Sequence, residues 1–368
     1  MQSPLLEDGL MDGEALRHAG SVPALVYHRH GRDPSAPLMI FVPGGGHLAR
    51  VAYGYPGGAP PDFLDHWLAA AGYGLLAASI PAGRPIAAHG HPGLTRNEWG
   101  EALAALAEDG LAQSNGRRSV VILAWSMAGG VIGHLTIALR ARGIAVECVM
   151  PFSASSPLPR PVGSHGVAEC LDEQGLWDVA GSTVFGIERR VIWNDELRAI
   201  EASLGRSVLS AANYQRHMLT GTPVGLLRGG FARAARPKDD PDIAAFPLAA
   251  PIIPTGQRDY RHALGDGAAW AYMNTQLILD RYEKAIAATG ARLTEAAWQR
   301  LSALVGALPT RLAARVPGGH FFFVGESGAR ATAAAIDDLL AQSRAILAAL
   351  NELIAARDDS PQERNTSR

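Results

Sequence analysis

A serine at position 126 ends the apolar run Val120-Val-Ile-Leu-Ala-Trp125, and the small residues Ala128 and Gly129 follow it. A serine hydroxyl is a poor nucleophile unless it is presented openly and a neighbouring base takes its proton. Ala124, Ala128 and Gly129 are small where a sharp strand-to-helix turn would make bulkier side chains collide. The serine at the apex must itself tolerate a strained backbone. Val131, Leu135 and Leu139 then recur at i, i+4, i+8, the spacing of a helix leaving that turn. The arrangement predicts Ser126 as a nucleophile on a strand-turn-helix elbow.

A nucleophile of this kind needs donors for the oxyanion that develops on the attacked carbonyl, and backbone N–H groups on glycines serve because substrate can approach them closely. Leu38-Met-Ile-Phe-Val42 reads as a buried strand running into Pro43-Gly-Gly-Gly-His47. One donor is expected from Gly45 or its neighbour Gly46, and the other from Met127, the residue after the serine. His47, Arg50 and Tyr53 follow the glycines and could bind a carboxylate or polar leaving group, or equally brace the loop. Trp125, beside the serine, is a further candidate substrate contact.

The base is expected at His320, in Arg315-Val-Pro-Gly-Gly-His320, on a glycine-rich loop after a short strand over 311–316. A carboxylate must hold that imidazole in one tautomer and stabilise its cation. Pro251-Ile-Ile-Pro-Thr-Gly-Gln-Arg-Asp259 supplies a short strand, a glycine turn and then an acid. Asp266 and Asp280 stay open as alternatives, because the stretch from Asp259 to His320 is long.

Taken in chain order, the strand-GGGH, strand-AWSMAGG, strand-GQRD and strand-PGGH segments resemble the α/β-hydrolase superfamily. The resemblance implies Ser126 as nucleophile, Asp259 as acid and His320 as base, with Met127 and Gly45 as oxyanion donors. Some members carry the acid one strand earlier, but here that strand end, Val149 to Pro157, contains no acid. Two positions depart from the pattern. Alanines stand in two elbow glycine positions, which is sterically acceptable, and Pro43 stands where many members have histidine.

The elements that must position these residues alternate. Strands are expected near 24–30, at 38–42, 74–81 and 119–125, then at 146–150 and near 251–254, with helices at 62–71, 97–113 and up to 142. This rhythm predicts an α/β fold, a mostly parallel sheet covered by helices on both faces. Residues 1–156 and 248–356 would form the catalytic body. Residues 157–247 break the rhythm just past the sixth strand and resemble a helical cap, with helices expected at 195–204 and 208–219. Trp177, Phe185, Trp193, Tyr214, Met218 and Leu226 either line an acyl pocket or pack the cap onto the body. A second helical region is expected over 268–308. The C-terminal helix shows an apolar stripe at Ile336, Leu339, Leu340, Ile346, Leu347, Leu350 and Ile354, which leaves room for a homodimer contact. A polar tail, 357–368, is expected to fray.

Composition narrows the functional classes. With 368 residues, 48% hydrophobic and 18% charged, the chain can bury a sizeable core. A net charge of −2 offers no electrostatic case for nucleic acid or an anionic membrane. The two cysteines, Cys148 and Cys170, do not suggest a disulfide framework. His28 with His30, and His89 with His91, lack companions at metal-ligand spacing, so neither metal nor cofactor is expected. The first residues lack the basic and apolar regions of a secretory signal, and no apolar run is long enough to span a membrane. A cytoplasmic enzyme is expected. The expected activity is a serine hydrolase that cleaves a small to medium, partly apolar carboxylic ester or thioester through an acyl-enzyme. Two alternatives remain: acyl transfer to an alcohol or amine, including cyclisation, and a non-hydrolytic lyase or binding member of the fold. The Ser126-Met-Ala-Gly-Gly run is similar to the elbow of homoserine acetyltransferase-like enzymes.

Overall fold

The computed structural model describes residues 9–80, 91–112, 118–158, 171–179, 184–227, 241–290 and 292–355. An eight-stranded sheet is built from β1 (Glu14–Ala19), β2 (Val22–Arg29), β3 (Leu38–Val42), β4 (Gly74–Ser79), β5 (Ser119–Trp125), β6 (Ala145–Phe152), β9 (Ile252–Pro254) and β10 (Ala314–Val316). Its order is β1-β2-β4-β3-β5-β6-β9-β10. β2 runs antiparallel to both β1 and β4, and the remaining pairs are parallel. Gly20, at φ +62°, closes the tight turn between β1 and β2.

The central strands are apolar throughout because both faces of the sheet are covered. Alternate residues serve opposite cores. Met39, Phe41, Val121, Leu123, Trp125, Met150 and Phe152 face one side, against α2 (Leu64–Ala70) and the long C-terminal helix α10 (Glu326–Ala355). Ile40, Val42, Val120, Ile122, Ala124 and Val149 face the other. There they meet α3 (Arg96–Ala112), α4 (Ile132–Ala141), and Trp270 and Met273 of α8 (Tyr260–Thr289). Ile336, Leu339, Leu340, Ile346 and Leu350 of α10 are buried in the chain's own core, with Leu347 and Ile354 packed against it, so that stripe is spent within the molecule.

Between β6 and β9 the chain forms β7 (Leu176–Asp178), α5 (Val184–Leu204), α6 (Ala211–His217), β8 (Gly221–Pro223) and α7 (Val224–Leu227). The strands β7 and β8 pair with each other, a small sheet not expected from sequence. α5 starts eleven residues before the expected helix (195 − 184), and α6 is shorter than expected, capped by Ser210 accepting from Asn213 N–H. Trp193, Leu197, Tyr214 and Met218 join the same core as the sheet. Leu226 belongs to the other core, not to the one that holds Trp193, Tyr214 and Met218. Asp62, almost fully buried, accepts two hydrogen bonds of 2.6 Å from Arg206 and a third from Glu326 N–H, which fastens the insertion to the start of α10.

The region expected to be helical over 268–308 is two helices, α8 and α9 (Glu295–Arg311), separated after Gly290 at φ +69°. The last strand is shortened to Ala314–Val316 because α9 runs on to Arg311. Among the described residues no helix is long and apolar enough to cross a membrane. Cys148 is a buried free thiol on β6. Cys170, His89, residues 159–170 and 228–240 of the insertion, the side chain of Phe185 and the tail 357–368 lie outside the described residues.

Candidate active site

Ser126 follows β5 directly and has φ +57°. A non-glycine residue in that region costs on the order of 1–3 kcal/mol and persists only where its surroundings enforce it. The enforcement is visible in the neighbouring residues. A short 3-10 turn, Ser126–Gly130, leads into α4, and Ser155 N–H donates to the Ser126 carbonyl at 3.0 Å. Gly129 lies so close to the Ser155 carbonyl that any Cβ would strike it. On the opposite side, a Cβ on Gly44 would fall 2.8 Å from Ser126 Cβ. The glycine loop after β3 therefore runs directly against the serine.

Two other loops meet at the same end of the sheet. Thr255 N–H donates to Val316 O at 3.1 Å and Gly256 N–H to Gly318 O at 2.7 Å, extending the pairing of β9 with β10 beyond the strands. A Cβ at Gly256 would sit 2.6 Å from the Gly318 carbonyl, so a glycine is needed for this approach. The 3-10 turn Gln257–Asp259 then brings Asp259 to His320, with 2.8 Å between Asp259 Oδ2 and His320 Nδ1. Burial would raise the Asp259 pKa, but hydrogen bonding and charge from His320, aided by His262 and the Ser153 hydroxyl, hold it down at about 2. Burial opposes the charged form of His320 too. The adjoining Asp259, with Glu196 and Asp266 further off, outweighs that and raises its pKa above the ordinary histidine value.

Of the other two acids considered, Asp266 is bound to His262, both carboxylate oxygens lying 3.0 Å from Nδ1. Asp280 pairs with Lys284 one helical turn on. Neither reaches His320 through a hydrogen bond among the described residues.

The fold is that of the α/β-hydrolases. The strand order, the single reversed strand β2 and the positive-φ serine at the end of β5 decide it. No family model and no curated protein matches the chain. Among solved structures, it is similar to an esterase from Thermogutta terrifontis, at 12% identity over 88% of this chain and 94% of that one, with a TM-score of 0.49. It is also similar to the NocB thioesterase domain, at 15% identity over 86% and 99% of the two chains, with a TM-score of 0.41.

The oxyanion candidates separate. Gly46 N–H donates to Thr222 Oγ1 of β8 at 2.6 Å and is already engaged. Its φ of +77° and its closeness to Val179 fix that position against the segment between β6 and β9. A Cβ on Gly45 would fall 2.6 Å from the Trp177 ring and 3.3 Å from Met127 Sδ, so that residue packs closely against both.

The four candidate substrate contacts are committed elsewhere. His47 is 1% exposed, enclosed by Trp125, Trp193, Tyr214 and Phe321, and burial lowers its pKa to about 3. Arg50 and Tyr53 both bind Glu14 of β1, at 2.6–2.7 Å, and so brace the loop through the first strand. Trp125 is fully buried, and its indole N–H donates to His320 O at 3.1 Å. It supports the histidine and does not line a binding surface.

Sequence reasoning passed over two residues that touch this region. Glu196 of α5 reaches the His320 loop, and His262 of α8 has its ring 5.6 Å from that of His320. Asp259, His262 and His320 each offer a ligand atom, all within 4.8 Å of one another. Tetrahedral zinc with 2.0–2.1 Å bonds to nitrogen draws its ligand atoms to within about 3.4 Å of each other. Hydrogen bonding already accounts for all three side chains, in a His320–Asp259 pair and a His262–Asp266 pair.

Proposed function

We propose that the chain is a serine hydrolase acting on a carboxylic ester or thioester through an acyl-enzyme. The observation that carries this reading is the convergence of a strained, positive-φ serine with a histidine–carboxylate pair at one end of the sheet. A serine held at φ +57° beneath a glycine loop has no evident packing purpose, and the strain suits a side chain that must stand clear of the backbone.

In this mechanism Ser126 Oγ attacks the substrate carbonyl and its proton passes to His320 Nε2. Nδ1–H stays directed at Asp259, which stabilises the imidazolium. Negative charge builds on the carbonyl oxygen, facing the N–H groups of Gly45 and Met127. The imidazolium then protonates the departing alkoxide or thiolate, leaving Ser126 acylated. Water, deprotonated by His320, attacks the acyl-enzyme and releases the acid with the serine restored. Trp177 and Met127, both partly exposed beside Gly45, would give the acyl chain an apolar surface, consistent with a partly apolar substrate.

Active-site labelling tests this directly. A fluorophosphonate probe should modify Ser126 alone, and a graded panel of p-nitrophenyl esters and acyl-thioesters should be turned over. Labelling at another serine, or none at all, would overturn the reading. Adding alcohol acceptors to the same panel separates hydrolysis from acyl transfer.

A further inference from the structure

We propose that Glu196, carried by the cap helix α5, is a positioning residue for His320: its buried carboxylate grips the backbone of the histidine loop and ties the acid–base centre to the cap. This rests on the reading of His320 as the general base.

The geometry is specific. Glu196 Oε2 accepts the N–H of His320 at 2.5 Å. Glu196 is only 4% exposed and lies on the face of α5 that also buries Trp193 and Leu197. A carboxylate is unfavourable in such surroundings unless it is hydrogen-bonded, and here the backbone N–H of His320 supplies the bond. The loop is shaped to admit it. A Cβ on Gly319 would strike the carboxylate, so the residue before the histidine must be glycine for Glu196 to reach its place.

The other backbone group of His320 is held from the opposite side. Its carbonyl accepts from the indole of Trp125, which directly precedes the nucleophile. The imidazole is thus suspended between a cap residue on its N–H and the elbow residue on its carbonyl, with Asp259 fixing Nδ1. If the cap moves away, the first of these holds is released.

Glu196 also adds charge. The groups facing His320 are Asp259 from the turn after β9, Asp266 with His262 from α8, Glu196 from α5 and the buried His47 after β3. The Glu196 carboxylate favours the imidazolium, so removing its charge should make His320 easier to deprotonate.

The test compares E196Q, which keeps an acceptor oxygen but loses the charge, with E196L, which loses both, in the full chain. E196Q should move the acid limb of the kcat/KM profile to lower pH while retaining most of kcat. E196L should shift the limb likewise and lower kcat by about tenfold or more, with little change in KM. R206A, which breaks a different tie between insertion and body, should lower thermal stability without moving the limb. Wild-type kcat and an unmoved limb in both Glu196 variants would overturn the proposal, as would the same shift in R206A. An NMR titration of the His320 ring protons separates this from the catalytic reading. If the wild type fails to label at Ser126, a lower His320 midpoint in E196Q still supports the grip of Glu196, and an unchanged midpoint refutes it.

Discussion

The phenol of Tyr214, on α6, lies 2.6 Å from Nε2 of His47, whose Nδ1 is 2.9 Å from the carbonyl oxygen of Gly45. A carbonyl can only accept, so Nδ1 carries the proton and Nε2 accepts from the phenol. Burial keeps both groups neutral, lowering the imidazole pKa and raising that of the phenol. One neutral imidazole therefore links the insertion to the glycine loop beside Ser126. Tyr214→Phe leaves a buried acceptor without a donor, which costs roughly 1–3 kcal/mol. Urea unfolding should show that loss, and turnover should fall as the imidazole that holds the Gly45 carbonyl is no longer fixed from its other side.

The strain at Ser126 makes a pair of variants informative. Ser126→Ala should abolish turnover, a loss on the order of 10⁶ in kcat, while keeping the same backbone strain. Ser126→Gly should be equally inactive yet more stable than Ser126→Ala by about 1 kcal/mol, since glycine adopts positive φ freely. Thermal melts of the two proteins decide it. Equal stability would mean the serine conformation is not strained.

Asp259→Asn should lower kcat by about 10⁴, because the amide favours the wrong imidazole tautomer. Asp266→Asn should do far less, since that carboxylate holds His262, and Asp280→Asn, at a helix surface, should leave turnover unchanged. Steady-state rates for the three variants rank the acids unambiguously.

With His320 as the proposed general base, turnover needs its neutral form, so kcat/KM should climb as pH rises through its ionisation. The neighbouring carboxylates raise that pKa above the ordinary value of 6.5, so the midpoint should lie above 6.5 as well. Asp259, held at about 2, should add no further acid-side limb in the range where the protein is assayed. A kcat/KM profile between pH 5 and 9, the range in which histidines commonly titrate, checks both statements.

The parts of the site legible in the sequence are those in which one short segment contains both the strand and the turn it feeds. Val120 to Gly129 shows its buried run, its serine and its small residues within ten positions, and the Pro251–Asp259 and Arg315–His320 segments are similarly self-contained. Contacts across the chain were not legible. Arg50 and Tyr53 look like ligand-binding residues because their partner, Glu14, stands 36 and 39 positions away. Gly46 looks like an oxyanion donor until Thr222, 176 positions on, is seen to occupy its N–H. Glu196 lies in a stretch with Glu188, Asp195 and Glu201 and reads as one more solvated charge. Only the folded helix reveals that it faces inward. The early start of α5 is not legible because its apolar Ile187, Val191 and Ile192 lie on the exposed side, which blurs the contrast between its two faces.

These long sequence separations have a consequence for how the protein comes into being. His320 finds Glu196 across 124 positions and Trp125 across 195, while Gly46 and His47 find Thr222 and Tyr214 across 176 and 167. Contacts that close such large loops form late, after local helices and neighbouring strands have condensed. A refolding chain should therefore regain its helical signal well before it becomes reactive. On the proposed reading, Ser126 would leave the ribosome nearly two hundred residues ahead of His320, and the nascent chain would stay chemically silent until the segment carrying Asp259 and His320 had docked.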